Sequence, residues 1–336
     1  MEISRLNNFG LLRYLMAFSI VVGHFNFLTG SSLPVPLSAY DCVGGFFVLS
    51  GFFVNHSYTR AKSLGGYIRR RARRLLPPYV LIVVGCALGL SAVSTLPAAD
   101  YFTSGQLYGY LAANLTFLNF LQPDLPGVFA SSPMAAVNAS LWTLKEEWML
   151  YLLFPATLWL MRRCRLGLVA TLAAVYLGSA AYRAAMVYYG MQTGNAMFIV
   201  MSRQVFGCMS FFFTGVALHF FFAKFSRHRN GLFVAAIILF AVSYTSVWWQ
   251  ILLRPAAIGV ILIYLGTTGK WGHWAASLGN ISYEIYLFHF PVIQLAVTAG
   301  LPAAAGETGT FAAVLAAVVV LGALSWHFID SRFLRR

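Results

Sequence analysis

The chain has 336 residues, of which 60% are hydrophobic and only 10% charged, and its mean hydropathy is +0.74. An ordinary soluble domain carries roughly 25% charged residues, so this composition excludes one and points to a polytopic membrane protein. The formal net charge of +14 does not read as nucleic-acid binding, because the basic residues border the apolar segments, as the positive-inside rule expects.

A membrane-crossing helix needs about 20 mostly apolar residues. In chain order such segments fall at roughly 9–29, 42–58, 75–95, 141–161, 166–187, 198–223, 231–249, 251–268, 278–299 and 309–328. Charge decides the status of one shorter apolar stretch, 108–121. With Arg5 inside, the loop holding Arg60, Lys62, Arg69, Arg70, Arg71, Arg73 and Arg74 is inside too. If 108–121 crossed, Arg162, Arg163 and Arg165 would fall outside. As a re-entrant or interfacial segment it leaves them inside, together with Lys224, Arg227, Arg229, Lys270, Arg332, Arg335 and Arg336. The outer loops then hold Asp41, Asp100, Asp124 and Glu307 and almost no basic residues, the asymmetry the rule demands. The expectation is an all-α, polytopic membrane helical bundle of about ten transmembrane helices. Both termini are cytoplasmic, 1–336 forms a single domain, and the outer segment 96–140 shapes a mouth over the bundle.

The first apolar run lacks a small-residue cleavage pattern and reads as a retained span. Cys42, Cys86, Cys164 and Cys208 lie in or beside apolar segments without ligand or disulfide spacing, which makes them small hydrophobic side chains. No metal is expected, and no inverted repeat of the transporter kind is visible.

An ionisable residue inside a span costs roughly 2.5–3.5 kcal/mol on insertion scales, so it marks a functional position. Arg13 and His24 share the first apolar run. Eleven residues apart, they return to within ~20° of one helical face, ~16 Å apart along the axis. The plainer alternative is a snorkelling arginine and a hydrogen-bonded packing histidine. FFVLSGFFV, residues 46–54, sets Ser50 and Gly51 in an aromatic span, where small residues serve close helix packing. YIRRRARRLLPPY, 67–79, places Arg71 and Arg74 on one face at i,i+3. An arginine fork grips two phosphate oxygens at once, although the same cluster serves as an anchor on anionic lipid. SLWTLKEEWMLYLLFP, 140–155, puts Glu147 and Tyr151 one turn apart, with Trp142 at the interface. A carboxylate there can orient an imidazole and raise its basicity, or pair with Lys145. GNISYEIYLFHFPVI, 279–293, carries Glu284 and His289, with Tyr286, His289 and Ile293 on one face.

These pieces together resemble the acyltransferase-3 family of integral membrane O-acyltransferases, over almost the whole chain and in order. Arg13 and His24 look like the family's basic residue, ten-residue gap and histidine. FFVLSGF at 46–52 is close to FFxxSGF, and Arg71 and Arg74 before LLPP look like RxxR. LWTLKEEWMLYLLFP matches LWSLSVEEQFYLLFP without a gap, and SYEIYLFHFPVI resembles SYSLYLWHWPVI. Each motif alone is weak; five in order are highly specific. Two departures stand out. The family's first glutamate falls on Glu147 and its second on Trp148, leaving Glu146 at an apolar position. Many members carry an acidic residue just before FFVLSG; here that position is Gly44, with Asp41 three residues earlier.

The resemblance implies transfer of an acyl group, usually acetyl, from cytoplasmic acetyl-CoA to a hydroxyl of a surface or lipid-linked glycan, in the inner (plasma) membrane and without an SGNH domain. It implies His24 as general base or transient acyl acceptor, with Glu147 holding its tautomer, the logic of an oriented histidine. Arg71 and Arg74 would hold the CoA phosphates, with Arg13 at the pantetheine end or a phosphate. Ser50, Trp142, Tyr151 and His289 would line the substrate path. Arg183, Arg203 and Arg254, in outer halves of their spans, suggest an acidic or pyrophosphate-linked acceptor. The expected partners are membrane lipid, acyl-CoA and a glycan or lipid-linked saccharide, not nucleic acid. The alternatives are a small-molecule or antibiotic O-acyltransferase of the same fold, and a glycan or acyl transporter.

Overall fold

The computed structural model describes residues 7–278 and 281–334. Arg5, Arg335 and Arg336 of the topology argument, and residues 279–280 of the last motif, lie outside the described residues. Among the described residues the regular structure is entirely helical. The helices are α1 Phe9–Thr29, α2 Ala39–Thr59, α3 Leu64–Gly89, α4 Ala98–Thr103, α5 Gly105–Leu115, α6 Trp142–Arg163 and α7 Leu168–Thr193. They continue as α8 Ala196–Met201, α9 Val205–Phe220, α10 Phe222–Val242, α11 Val247–Thr267, α12 Ser282–Thr298, α13 Leu301–Ser325 and α14 Ser331–Leu334.

Among the described residues seven helical stretches are long and apolar enough to cross a membrane: Phe9–Thr29, Leu64–Val93, Leu168–Thr193, Ala196–Phe220, Phe222–Val242, Val247–Thr267 and Leu301–Phe333. Three other expected spans, α2, α6 and α12, fall short of that measure. Asp41 and His56 lie in α2, Lys145, Glu146, Glu147, Arg162 and Arg163 in α6, and α12 has only 17 residues. Those helices also carry Ser50, Glu147, Tyr151 and His289, so the side chains suited to chemistry are the ones that dilute apolarity. The expected segment 198–223 is divided between α8 and α9, and Gly306, at φ 68° and ψ 177°, interrupts α13. The stretch 108–121 is helical only to Leu115, and Phe117 then takes a left-handed φ of 63°. Eleven residues span ~16 Å, about half of a bilayer core.

The chain forms two compact units. One holds the residues through Arg13, Tyr40–Arg71 and Glu146–Ser277; the other holds Tyr14–Ala39, Ala72–Lys145 and the chain from Leu278 on. In the first unit α2 and α9 touch backbone to backbone. A Cβ on Gly51 would lie 1.9 Å from the carbonyl oxygen of Phe212, and one on Gly215 would lie 2.0 Å from that of Val48. Only glycine permits this approach. In the second unit Tyr79 donates to the carbonyl of Asn114 at 2.6 Å, and Tyr101 to that of Ala87 at 2.7 Å. These bonds tie the 96–140 segment to α3. Gln294 of α12 holds the same segment further on, donating to the carbonyls of Met134 and Ala136 at 2.6 and 3.1 Å.

Candidate active site

Two prolines shape the candidate clusters, one in each unit. A proline lacks an N–H, so the carbonyl one helical turn before it loses its partner. In α6 Pro155 frees the carbonyl of Tyr151, and the buried Tyr67 hydroxyl donates to it at 2.9 Å. In α12 Pro291 frees the carbonyl of Leu287, and Asn138 Nδ2 donates to it at 2.8 Å. Each bond fixes the helix turn that presents the candidate chemistry, and each brings a neighbouring segment to it.

In the second unit the structure joins His24 to His289. His24 Nδ1 lies 2.7 Å from His289 Nε2, with the rings 7° from parallel. His289 is fully buried and its Nδ1 lies 2.8 Å from the carbonyl oxygen of Tyr286. A carbonyl can only accept, so the bonding network assigns the proton on that side to His289 Nδ1. With His289 neutral, its Nε2 is an acceptor and takes the N–H of His24 Nδ1. His24 Nε2 is then the nitrogen with the open lone pair, and it makes no hydrogen bond to the described residues. His24 as a whole is half-buried. The orienting contact on His24 Nδ1 is thus made by an imidazole.

Ser140 Oγ sits 3.3 Å from the same His289 Nε2. Tyr286 donates to the carbonyl of Ser140 at 3.1 Å and meets Thr143 Oγ1 at 2.8 Å. Phe290 packs edge-on against His24 at 5.3 Å between centroids. Asn138, Ser140 and Thr143 were not among the expected site residues. Their sequence signal is position: three polar side chains in the six residues 138–143, at and just before the start of LWTLKEEW.

In the first unit Ser50, Glu147, Tyr151 and Arg71 gather. Glu147 Oε1 accepts from Ser50 Oγ at 2.9 Å and from the Tyr151 hydroxyl in a short bond. The two hydroxyls are 3.0 Å apart. The Arg71 guanidinium lies over the Tyr151 ring, 5.1 Å from its centroid, and its Nε donates to Ser57 Oγ at 3.2 Å. Stacking and the Nε bond hold the plane of the guanidinium, while its two terminal nitrogens make no hydrogen bond to the described residues, the geometry an arginine uses for phosphate.

The remaining expected residues are placed as follows. Arg13 is half-buried in the first unit with its guanidinium 5.3 Å from the Phe53 centroid. Arg74, in the second unit, lies within coulombic reach of the buried carboxyls of Glu284 and Asp330. Trp142 is half-buried at the start of α6, Lys145 lies 5.2 Å from the Phe120 centroid, and Glu146 is fully buried. Asp41 pairs with Arg254 at 3.4 Å, and Arg203 is exposed. Among the described residues no three His, Cys, Asp or Glu side chains gather where a metal ion would be held.

A family model described as an acyltransferase domain matches residues 6–328. Among curated proteins, the chain is 25% identical to nodulation protein 10 of Rhizobium leguminosarum bv. viciae, over 96% of this chain and 92% of that relative. It is 22% identical to an O-acetyl transferase of Shigella phage Sf6, over 98% of this chain and 96% of that relative. No solved structure matches it.

Proposed function

The chain belongs to the acyltransferase-3 family, and from that premise we propose that it moves an acyl group, acetyl foremost, from cytoplasmic acyl-CoA to a hydroxyl of a surface or lipid-linked glycan. It is a multi-pass membrane acyltransferase with an O-acetyltransferase among its relatives. The donor, the acceptor, the inner (plasma) membrane location, ten crossings with both ends cytoplasmic and a single working domain belong to the proposal.

The observation that carries the reading is the relay from His24 through His289 to the Tyr286 carbonyl. A glycan hydroxyl is a poor nucleophile at neutral pH, and a positioned base gives ~10²–10⁴-fold. In the proposed step His24 Nε2 takes the hydroxyl proton as the oxygen bonds to the acyl carbon. The carbon–sulfur bond breaks, and the CoA thiolate leaves and takes up that proton. While His24 holds the proton, its positive charge is shared through Nδ1–H with His289. Glu147 supplies negative charge to the reaction, ordered by Ser50 and Tyr151. The free end of Arg71 binds a CoA phosphate, with Arg74 and Arg13 contributing further cationic grip. Trp142 lines the path.

The test is the acetyl content of surface glycan from cells lacking the protein, complemented with wild type or His24→Ala at matched membrane abundance. Restoration by wild type alone is expected. Equal restoration by His24→Ala removes the base assignment, and glycan acetylation that never changes removes the glycan acceptor.

A further inference from the structure

Tyr40 at the start of α2 lies between two buried arginines of the first unit. The guanidinium of Arg183 is 5.2 Å from its ring centroid and that of Arg254 is 5.9 Å. Phe211 backs Arg183 at 5.7 Å, and Tyr244 backs Arg254 at 4.0 Å. Arg183 is 6% and Arg254 3% exposed. Asp41 pairs with Arg254, but no carboxylate of the described residues lies within ion-pair distance of Arg183. Arg183 Nη1 and Arg254 Nη2 are buried with no hydrogen-bond partner among the described residues, and the Tyr40 hydroxyl lies within hydrogen-bonding reach of the Arg183 guanidinium.

A buried donor left unpaired is destabilising, more so when charged, and an unpaired buried charge more again. Two such donors beside one ring therefore favour an acceptor of hydrogen bonds. Both are cationic, and the flanking walls are aromatic. We infer that Tyr40, Arg183 and Arg254 form a binding site for an oxyanion, and that its natural occupant is an acidic group, carboxylate or phosphate, on the acceptor. This rests on the proposed transfer to a glycan. It narrows the acceptor class to acidic or phosphate-linked saccharides. The aromatic walls exclude water and strengthen each charge-assisted bond.

The test titrates the purified full chain in detergent with glucuronate, inorganic phosphate or glucose at constant ionic strength, reading the Tm. Wild type is expected to show a saturable rise with glucuronate or phosphate and none with glucose. In Arg183→Gln the midpoint is expected to move to ~10-fold higher concentration or more. An unchanged midpoint overturns the inference. If Arg183→Gln does not fold, Arg183→Lys decides: it keeps the charge but loses the fork, so its midpoint must also rise, and an unchanged one is equally fatal. Repetition in phosphatidylcholine vesicles with and without phosphatidylglycerol identifies the source of the anion. An Arg183-dependent rise with phosphatidylglycerol and none with glucuronate overturns the acceptor assignment in favour of a lipid headgroup. Acetyl-CoA turnover is measured on the same samples. Turnover without Arg183-dependent anion binding sinks this inference alone; such binding without turnover supports the site and sinks the transfer reading instead.

Discussion

His289→Ala separates an orienting histidine from a reacting one. The substitution removes the acceptor of the His24 Nδ1–H, which lies 2.7 Å away, and takes with it the ring that the Tyr286 carbonyl holds. A buried donor without a partner costs ~1–3 kcal/mol. At ~1.4 kcal/mol per tenfold in rate, kcat should fall by about 5- to 150-fold, provided the loss is felt in the transition state. His24→Ala removes the base itself and should cost ~10²–10⁴-fold. The assay is acceptor-dependent release of CoA thiol by purified protein whose Tm confirms folding. The KM for acetyl-CoA should stay within about twofold for both variants, because neither histidine is assigned to the donor's binding. His289→Gln, whose carbonyl oxygen can accept the same N–H, should recover part of the loss. An unchanged kcat in His289→Ala would refute the relay. A loss as large as that of His24→Ala, with no recovery in His289→Gln, would make His289 the base instead.

Three further outcomes are expected. Arg71→Lys keeps the charge but loses the fork and the stacking on Tyr151. Steady-state kinetics should show the KM for acetyl-CoA rising ~10-fold with kcat nearly unchanged; a fall in kcat alone would move Arg71 out of donor binding. Gly51→Ala places a Cβ 1.9 Å from a backbone oxygen, so thermal unfolding should show destabilisation of at least ~1–3 kcal/mol; a Tm equal to wild type would contradict the α2–α9 contact. Tyr67→Phe leaves the Tyr151 carbonyl without the donor that Pro155 makes necessary. It should destabilise by ~1–3 kcal/mol, measured as a lower Tm, while Tyr58→Phe, whose hydroxyl has no such role, should not.

Much of the candidate site was legible in the sequence because membranes make polar residues conspicuous. His24, Glu147 and His289 stand out against apolar neighbours, and Arg13 and Arg71 interrupt or border spans where a charge needs a reason. Their partners were less visible. Serine, threonine and asparagine are ordinary in loops, so nothing singled out Asn138, Ser140 or Thr143 until their bonds to α12 appeared. The same holds for Tyr67: one tyrosine among 17 becomes significant only when it is seen beneath the carbonyl that Pro155 releases.

The sequence by itself determined that the chain is helical, multi-pass and built around a few membrane-buried ionisable groups. Hydrophobic period and charge asymmetry act locally along the chain, and lipid leaves few other solutions. Only the tertiary structure decided which groups meet. A hydrogen bond between residues 265 positions apart depends on how helices pack, and no local pattern encodes that register. Helix packing set His289 beneath His24, Ser50 against Glu147, and the guanidiniums of Arg183 and Arg254 against Tyr40.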